Sequence, residues 1–127
     1  MPNSRSAKIK VSEMEYELLL TTRATKEIAG RYGGLENLGQ KLMRSENFEM
    51  ALDEVVWLIT LLANQSVLIH NLRHPEEKKE PLTAEMVELL TTPLDLAQYK
   101  SAIMEAMFKG TKRNVESEKD SKNAQVG

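Results

Sequence analysis

The sequence predicts a mainly α-helical fold: a small helical bundle around a long central apolar helix, with a short N-terminal β-hairpin. Three observations carry this reading. Apolar residues recur at three- and four-residue intervals through most of the chain. Eight of the nine residues in VVWLITLLA, 55–63, are apolar. From Ile9 to Leu20, by contrast, Ile9, Val11, Tyr16, Leu18 and Leu20 alternate with charged or polar residues, the period of a strand rather than a helix.

The alternation sets two strands joined through Ser12–Glu15, with no Asn-Gly or Asp-Gly to mark the turn. A two-stranded hairpin is marginal alone and needs helices to pack on. Thr21 or Thr22 can cap a first helix over 22–32, with Ala24, Ile28 and Tyr32 on one face and Gly33-Gly34 as its stop. LENLGQKLM reads as a short second helix, with Leu35, Leu38 and Leu42 spaced by three and four. Ser45 is the expected cap of the longest helix, 46–73, whose Phe48, Leu52, Val55, Ile59 and Leu62 trace one face. Val56, Trp57, Leu58 and Leu61 fill other faces, and a helix apolar nearly all round is buried on several sides. RHPEEKKEP, 73–81, is a charged linker and the clearest internal break. Thr83 opens a helix of about eight residues. Thr92 before Pro93 suits a cap followed by proline at the first helical position. The last helix then runs from 93 to 109 through Leu96, Tyr99, Ile103 and Met107, and Gly110 is its expected stop.

The 127 residues make one domain. We expect a disordered N-terminus over 1–8, a single helical domain over 9–110 and a disordered polar tail over 111–127. Seventeen Lys and Arg face nineteen Asp and Glu, a net charge of −2. The body, 11–108, carries −7 and the two ends are basic. An acidic body disfavours nucleic acid, and 5% aromatic residues give little for bases to stack on. No cysteine is present, which excludes disulfides, thiolate metal sites and a cysteine nucleophile. The first ten residues have no apolar core and do not read as a secretory signal. The longest apolar stretch, Val55 to Ala63, is well short of the ~20 residues that span a bilayer, so no membrane partner is expected.

Candidates for chemistry are few. His70 and His74 lie one helical turn apart, but HNLRH lacks the glutamate base of the HExxH motif and a third ligand. The acidic pairs Asp53/Glu54, Glu76/Glu77 and Glu85/Glu88 surround no evident pocket, and Gly30, Gly33 and Gly34 do not match GxGxxG. We therefore expect no enzyme: no catalytic residue, no cofactor, no metal. The seven methionines point elsewhere, because soft side chains suit surfaces that take varied apolar partners. Met104, Met107 and Phe108 near the end of the last helix, with Trp57 as an aromatic anchor, are such candidates.

The order of elements then resembles one family. The extended IKV…EYELLL, the helix TTRATKEIAGRYGG with the adjoining GGLENL, the aliphatic ALDEVVWLITLLANQS and the helix start PLTAEMVELL are similar to tail assembly chaperones of long-tailed bacteriophages and prophages of Gram-positive bacteria. The resemblance covers roughly 8–110. It implies a protein that binds the long helical tape measure protein, keeps it soluble, and helps recruit tail tube subunits during tail assembly. It also implies action in the cytoplasm of the bacterial host and absence from the mature virion. Many such chaperones are made in two lengths by ribosomal frameshifting, and the segment after Gly110 is where an extension would attach. The Ser12–Glu15 turn departs from the glycine-containing turn of the family, which leaves the hairpin register open. A helical holdase can cover a client's apolar stripe by helix-in-groove packing. The expected contact residues are Trp57, Leu58, Leu61 and Leu62 on the central helix and Ile103, Met104, Met107 and Phe108 on the last. Self-association through the all-round apolar helix is left open. The competing readings are a structural head–tail connector component and a small helical adaptor.

Overall fold

The alternation at the start of the chain becomes an antiparallel hairpin of β1 (Ser6–Val11) and β2 (Met14–Leu19). The register pairs Ala7 with Leu18, Ile9 with Tyr16 and Val11 with Met14. Ala7, Ile9, Val11, Tyr16 and Leu18 are all buried, so one face of the hairpin is core. The computed structural model describes the backbone of residues 6–44 and 48–126, with side chains over 7–41 and 52–110. The turn is tighter than Ser12–Glu15. Only Ser12 and Glu13 lie between the strands, and Ser12 takes φ 57°. A positive φ at the first loop position matches the twist of a two-residue hairpin, a place glycine usually fills. The first strand also opens earlier than expected, at Ser6, because Ala7 extends the buried alternation opposite Leu18.

Five helices follow among the described residues. In α1 (Thr22–Tyr32) the Thr21 hydroxyl accepts the Ala24 amide at 3.1 Å, and Gly33 closes the helix at φ 88°. The next, α2 (Leu35–Arg44), buries Leu38 and is tied to the central helix by a Lys41–Glu54 ion pair at 3.1 Å. The central α3 (Phe48–Arg73) has 26 residues. Its expected cap, Ser45, lies outside the described residues. Short α4 (Ala84–Leu90) is capped by Thr83, whose hydroxyl accepts the Met86 amide at 3.1 Å. In α5 (Pro93–Val126) the start is a reciprocal box: Asp95 Oδ2 accepts the Thr92 amide at 2.9 Å and Thr92 Oγ1 accepts the Asp95 amide at 3.3 Å.

The core forms where β2 lies on α3, β1 lies on α5, and the two helices meet beneath the hairpin. Val55, Leu58, Ile59 and Leu62 of α3 and Ile103 of α5 are fully buried there. One buried polar side chain serves as a joint. Gln65 donates from Nε2 to the Leu61 carbonyl at 3.0 Å and accepts the Thr21 hydroxyl, so the α1 cap is bonded to α3.

One sequence expectation changes here. The last helix does not stop at Gly110: it continues to Val126 through the segment expected to be a disordered tail. Gly110 is buried, and a Cβ placed on it would lie 2.9 Å from Leu20 Cβ. Glycine at 110 therefore permits close approach of α5 to the end of β2 rather than a left-handed cap. Residues 111–126 contain no proline, and their Lys, Arg, Glu, Gln and Ala are good helix formers. Leu52–Arg73 of α3, 22 residues, is long and apolar enough by length and composition to cross a membrane, a test that a core helix also passes, and 44% of its 18-residue window is buried inside the fold.

Candidate interaction surfaces

Val55, Leu62 and Ile69 are spaced by seven and so share one face of α3. Val55 and Leu62 are sealed beneath the hairpin; Ile69, two turns on, is only half-buried. It opens into a trench of about 780 Å³. Val67, Ile69 and His70 of α3 form one side, and Glu15, Glu17 and Leu19 of β2 form another. Met86 of α4 and residues 79–81 close the far end.

The far end holds its shape through asparagine. The segment expected to be a free charged linker runs back along α3, bonded at three places. Asn71 accepts the Lys79 amide at 2.7 Å and donates to the Lys79 carbonyl at 3.0 Å. Asn64, seven residues earlier, does the same to Leu82, both at 2.7 Å. Each carboxamide thus copies a main-chain partner. Between them His70 Nε2 lies 2.8 Å from the Glu77 carbonyl, which makes that nitrogen the donor. Sequence reasoning missed this strap. Its signal was available as two asparagines seven apart on one side of an otherwise apolar helix.

The histidine pair is a stack rather than a chelate. The His70 and His74 rings lie 4.8 Å apart, and His70 Nε2 is already committed to Glu77. Among the described residues no group of three His, Asp or Glu side chains is placed to hold a metal ion.

An aromatic corner closes the other end of α3. Tyr32 meets Trp57 edge-on at 6.1 Å, and the Arg31 guanidinium lies 4.5 Å over the Trp57 ring. The Tyr32 hydroxyl is buried and makes no hydrogen bond of ordinary geometry among the described residues. Burial pushes its pKa up to about 12, with the nearby Glu54 carboxylate adding to the rise and Arg31 opposing it.

The expected contact residues divide by burial. Leu58, Leu62 and Ile103 are wholly inside, and Met107 is buried with them. The hairpin covers the apolar faces that sequence left open, so these four are core and offer no surface. Trp57, Leu61 and Met104 are half-buried against that core. Phe108, 64% exposed, is the member that reaches solvent. Sequence reasoning overlooked a larger exposed set. Leu72 is 82% exposed at the end of α3, Leu89 76% in α4 and Leu94 69% at the start of α5, with Leu68 and Leu90 beside them in sequence. Val87 of α4 and Leu96 of α5, on the same two helices, are buried. Comparison with family models, with curated proteins and with solved structures finds no match to the chain.

Proposed function

We propose that this chain is a tail assembly chaperone of a long-tailed phage or prophage. It binds the tape measure protein, keeps it soluble and helps bring tail tube subunits to it in the host cytoplasm. The observation that carries the reading is the group of leucines that the fold leaves in water: Leu72, Leu89 and Leu94, all mostly exposed. A small domain with a well-filled core has no packing use for them. Each lies near a helix end, and apolar side chains left in water supply contact area for an amphipathic client helix. The fold is compatible with the resemblance carried by IKV…EYELLL, GGLENL and PLTAEMVELL.

Co-expression with the longest helical reading frame downstream tests the proposal. The expected result is soluble client and a complex that co-purifies. The pair Leu89→Glu and Leu94→Glu is expected to abolish rescue while leaving helix content by circular dichroism unchanged. An insoluble client with no complex, even beside any longer frameshifted form, overturns it. Ring-stoichiometric amounts of the chain in purified virions overturn it in favour of a head–tail connector.

A further inference from the structure

The hairpin has two edges, and the fold treats them differently. On the β1 edge an outward main-chain group is taken: the Tyr99 hydroxyl of α5 donates to the Lys10 carbonyl. Among the described residues, β2 pairs with β1 alone, so its other edge has no strand. The two-residue turn closes Val11 on Met14, which makes them a hydrogen-bonded pair. Alternation along an antiparallel ladder then aims the main-chain groups of Met14, Tyr16 and Leu18 at β1 and those of Glu15, Glu17 and Leu19 away from it. Those three residues line the trench together with Met14 and Tyr16.

We infer that the trench is a strand-docking site, which takes an extended peptide segment as a third strand on β2. The unpaired main-chain groups of Glu15, Glu17 and Leu19 call for an extended segment, because a helix has already spent its own amides and carbonyls within itself.

Charge fixes the chemistry of the segment. Toward the interior, the incoming strand faces Val67 and Ile69, so alternate residues are apolar. Beside β2 it pairs with Glu15 and Glu17, which favour Lys or Arg at those positions, while Arg73, His74 and Lys79 line the other walls. The molecule already displays a sequence that satisfies β2 in this way. On the inner edge, Ala7-Lys8-Ile9-Lys10-Val11 sets its lysines opposite Glu17 and Glu15, with Lys8 Nζ 3.9 Å from Glu15 Oε1. The occupant is thus a partner segment of alternating apolar and basic residues. The site is separate from the exposed leucines, and it stands or falls independently of the chaperone proposal.

The test uses the full chain and a blocked synthetic peptide, SAKIKV, with SAEIEV as the charge-reversed control. Hydrogen exchange by NMR reads the mode of binding. With saturating SAKIKV, the Glu15, Glu17 and Leu19 amides are expected to slow about tenfold or more, while Met14, Tyr16 and Leu18 keep their protection. SAKIKV is expected to bind the native chain about fivefold more tightly than SAEIEV, and the double variant Glu15→Lys, Glu17→Lys to reverse that order. Three results overturn the inference: no binding at millimolar peptide, binding that leaves the Glu15 and Glu17 amides unprotected, or loss of protection at Tyr16 and Leu18 as the peptide displaces β1.

Discussion

The two halves of α3 differ in sequence and in fate: eight of nine residues from Val55 to Ala63 are apolar, against four of eight from Ser66 to Arg73. From Val55 to Ala63 the helix is packed beneath the hairpin and against α5, and five of its side chains are wholly shielded from solvent. From Ser66 to Arg73 the same faces continue, yet Leu68 and Leu72 are exposed and Ile69 lines the trench. The difference lies in what covers each half. Hairpin and α5 seal the first; the second is held by a strap bonded to Asn64 and Asn71. One half is stabilised by apolar burial, the other by polar clamps on a chain that would otherwise be loose.

The sharpest contrast comes from truncating the same stripe in each half. Leu62→Ala is expected to cost about 2–5 kcal/mol, since the site is enclosed and cannot collapse. Ile69→Ala, seven residues on and half-exposed, should cost only about 1 kcal/mol. Urea titrations of both variants measure this, and equal costs would show that the trench is closed in solution. The clamps come next. Asn64→Ala removes both bonds to Leu82 and leaves the buried main chain of Leu82 unpaired, for a loss of about 2 kcal/mol. Its signature is faster exchange of the Leu82 amide, with the β1–β2 ladder unaffected.

How much of this was legible follows from what the one-dimensional pattern encodes. The caps at Thr21, Thr83 and Thr92, the alternating strands and the apolar face through Val55, Ile59 and Leu62 are local signals, and each appears where expected. Periodicity marks which face is apolar but not what will cover it. Leu58, Leu62 and Ile103 therefore read as contact residues until the hairpin is laid over them, through pairings between distant parts of the chain. Gly110 failed for a different reason. A glycine that ends a helix and one that lets a helix approach its neighbour are the same letter, and only the position of Leu20 separates them.

Gly110→Ala weighs the closed end of the core against local propensity. Alanine gains about 1 kcal/mol of helix propensity. Its methyl would meet Leu20 Cβ at 2.9 Å, an atom fixed to the backbone that cannot swing aside. Overpacking of this kind costs about 1–3 kcal/mol, so a net loss of about 1 kcal/mol is expected. A gain in thermal stability would mean that Gly110 serves the helix and not the contact.

The smallest effect belongs to the aromatic corner at the sealed half. Among the described residues the buried Tyr32 hydroxyl makes no hydrogen bond of ordinary geometry, so Tyr32→Phe is expected to gain less than about 1 kcal/mol at neutral pH. The pH dependence is the more telling measurement. The folded state holds the Tyr32 proton up to about 12, above the ordinary tyrosine value of 10.0. Its contribution is whole below pH 10, where folded and unfolded chains are both protonated. It is lost as pH rises from 10 toward about 12, because the unfolded chain ionises first. Chemical denaturation across that window should therefore show stability falling with pH, and Tyr32→Phe should flatten the fall. Tyr16 and Tyr99, also raised by burial, retain the remainder. An unchanged slope in Tyr32→Phe would place the Tyr32 hydroxyl in contact with water. The corner at Trp57 would then be as open as the trench at Ile69, and the contrast between the two halves of α3 would be lost at that end.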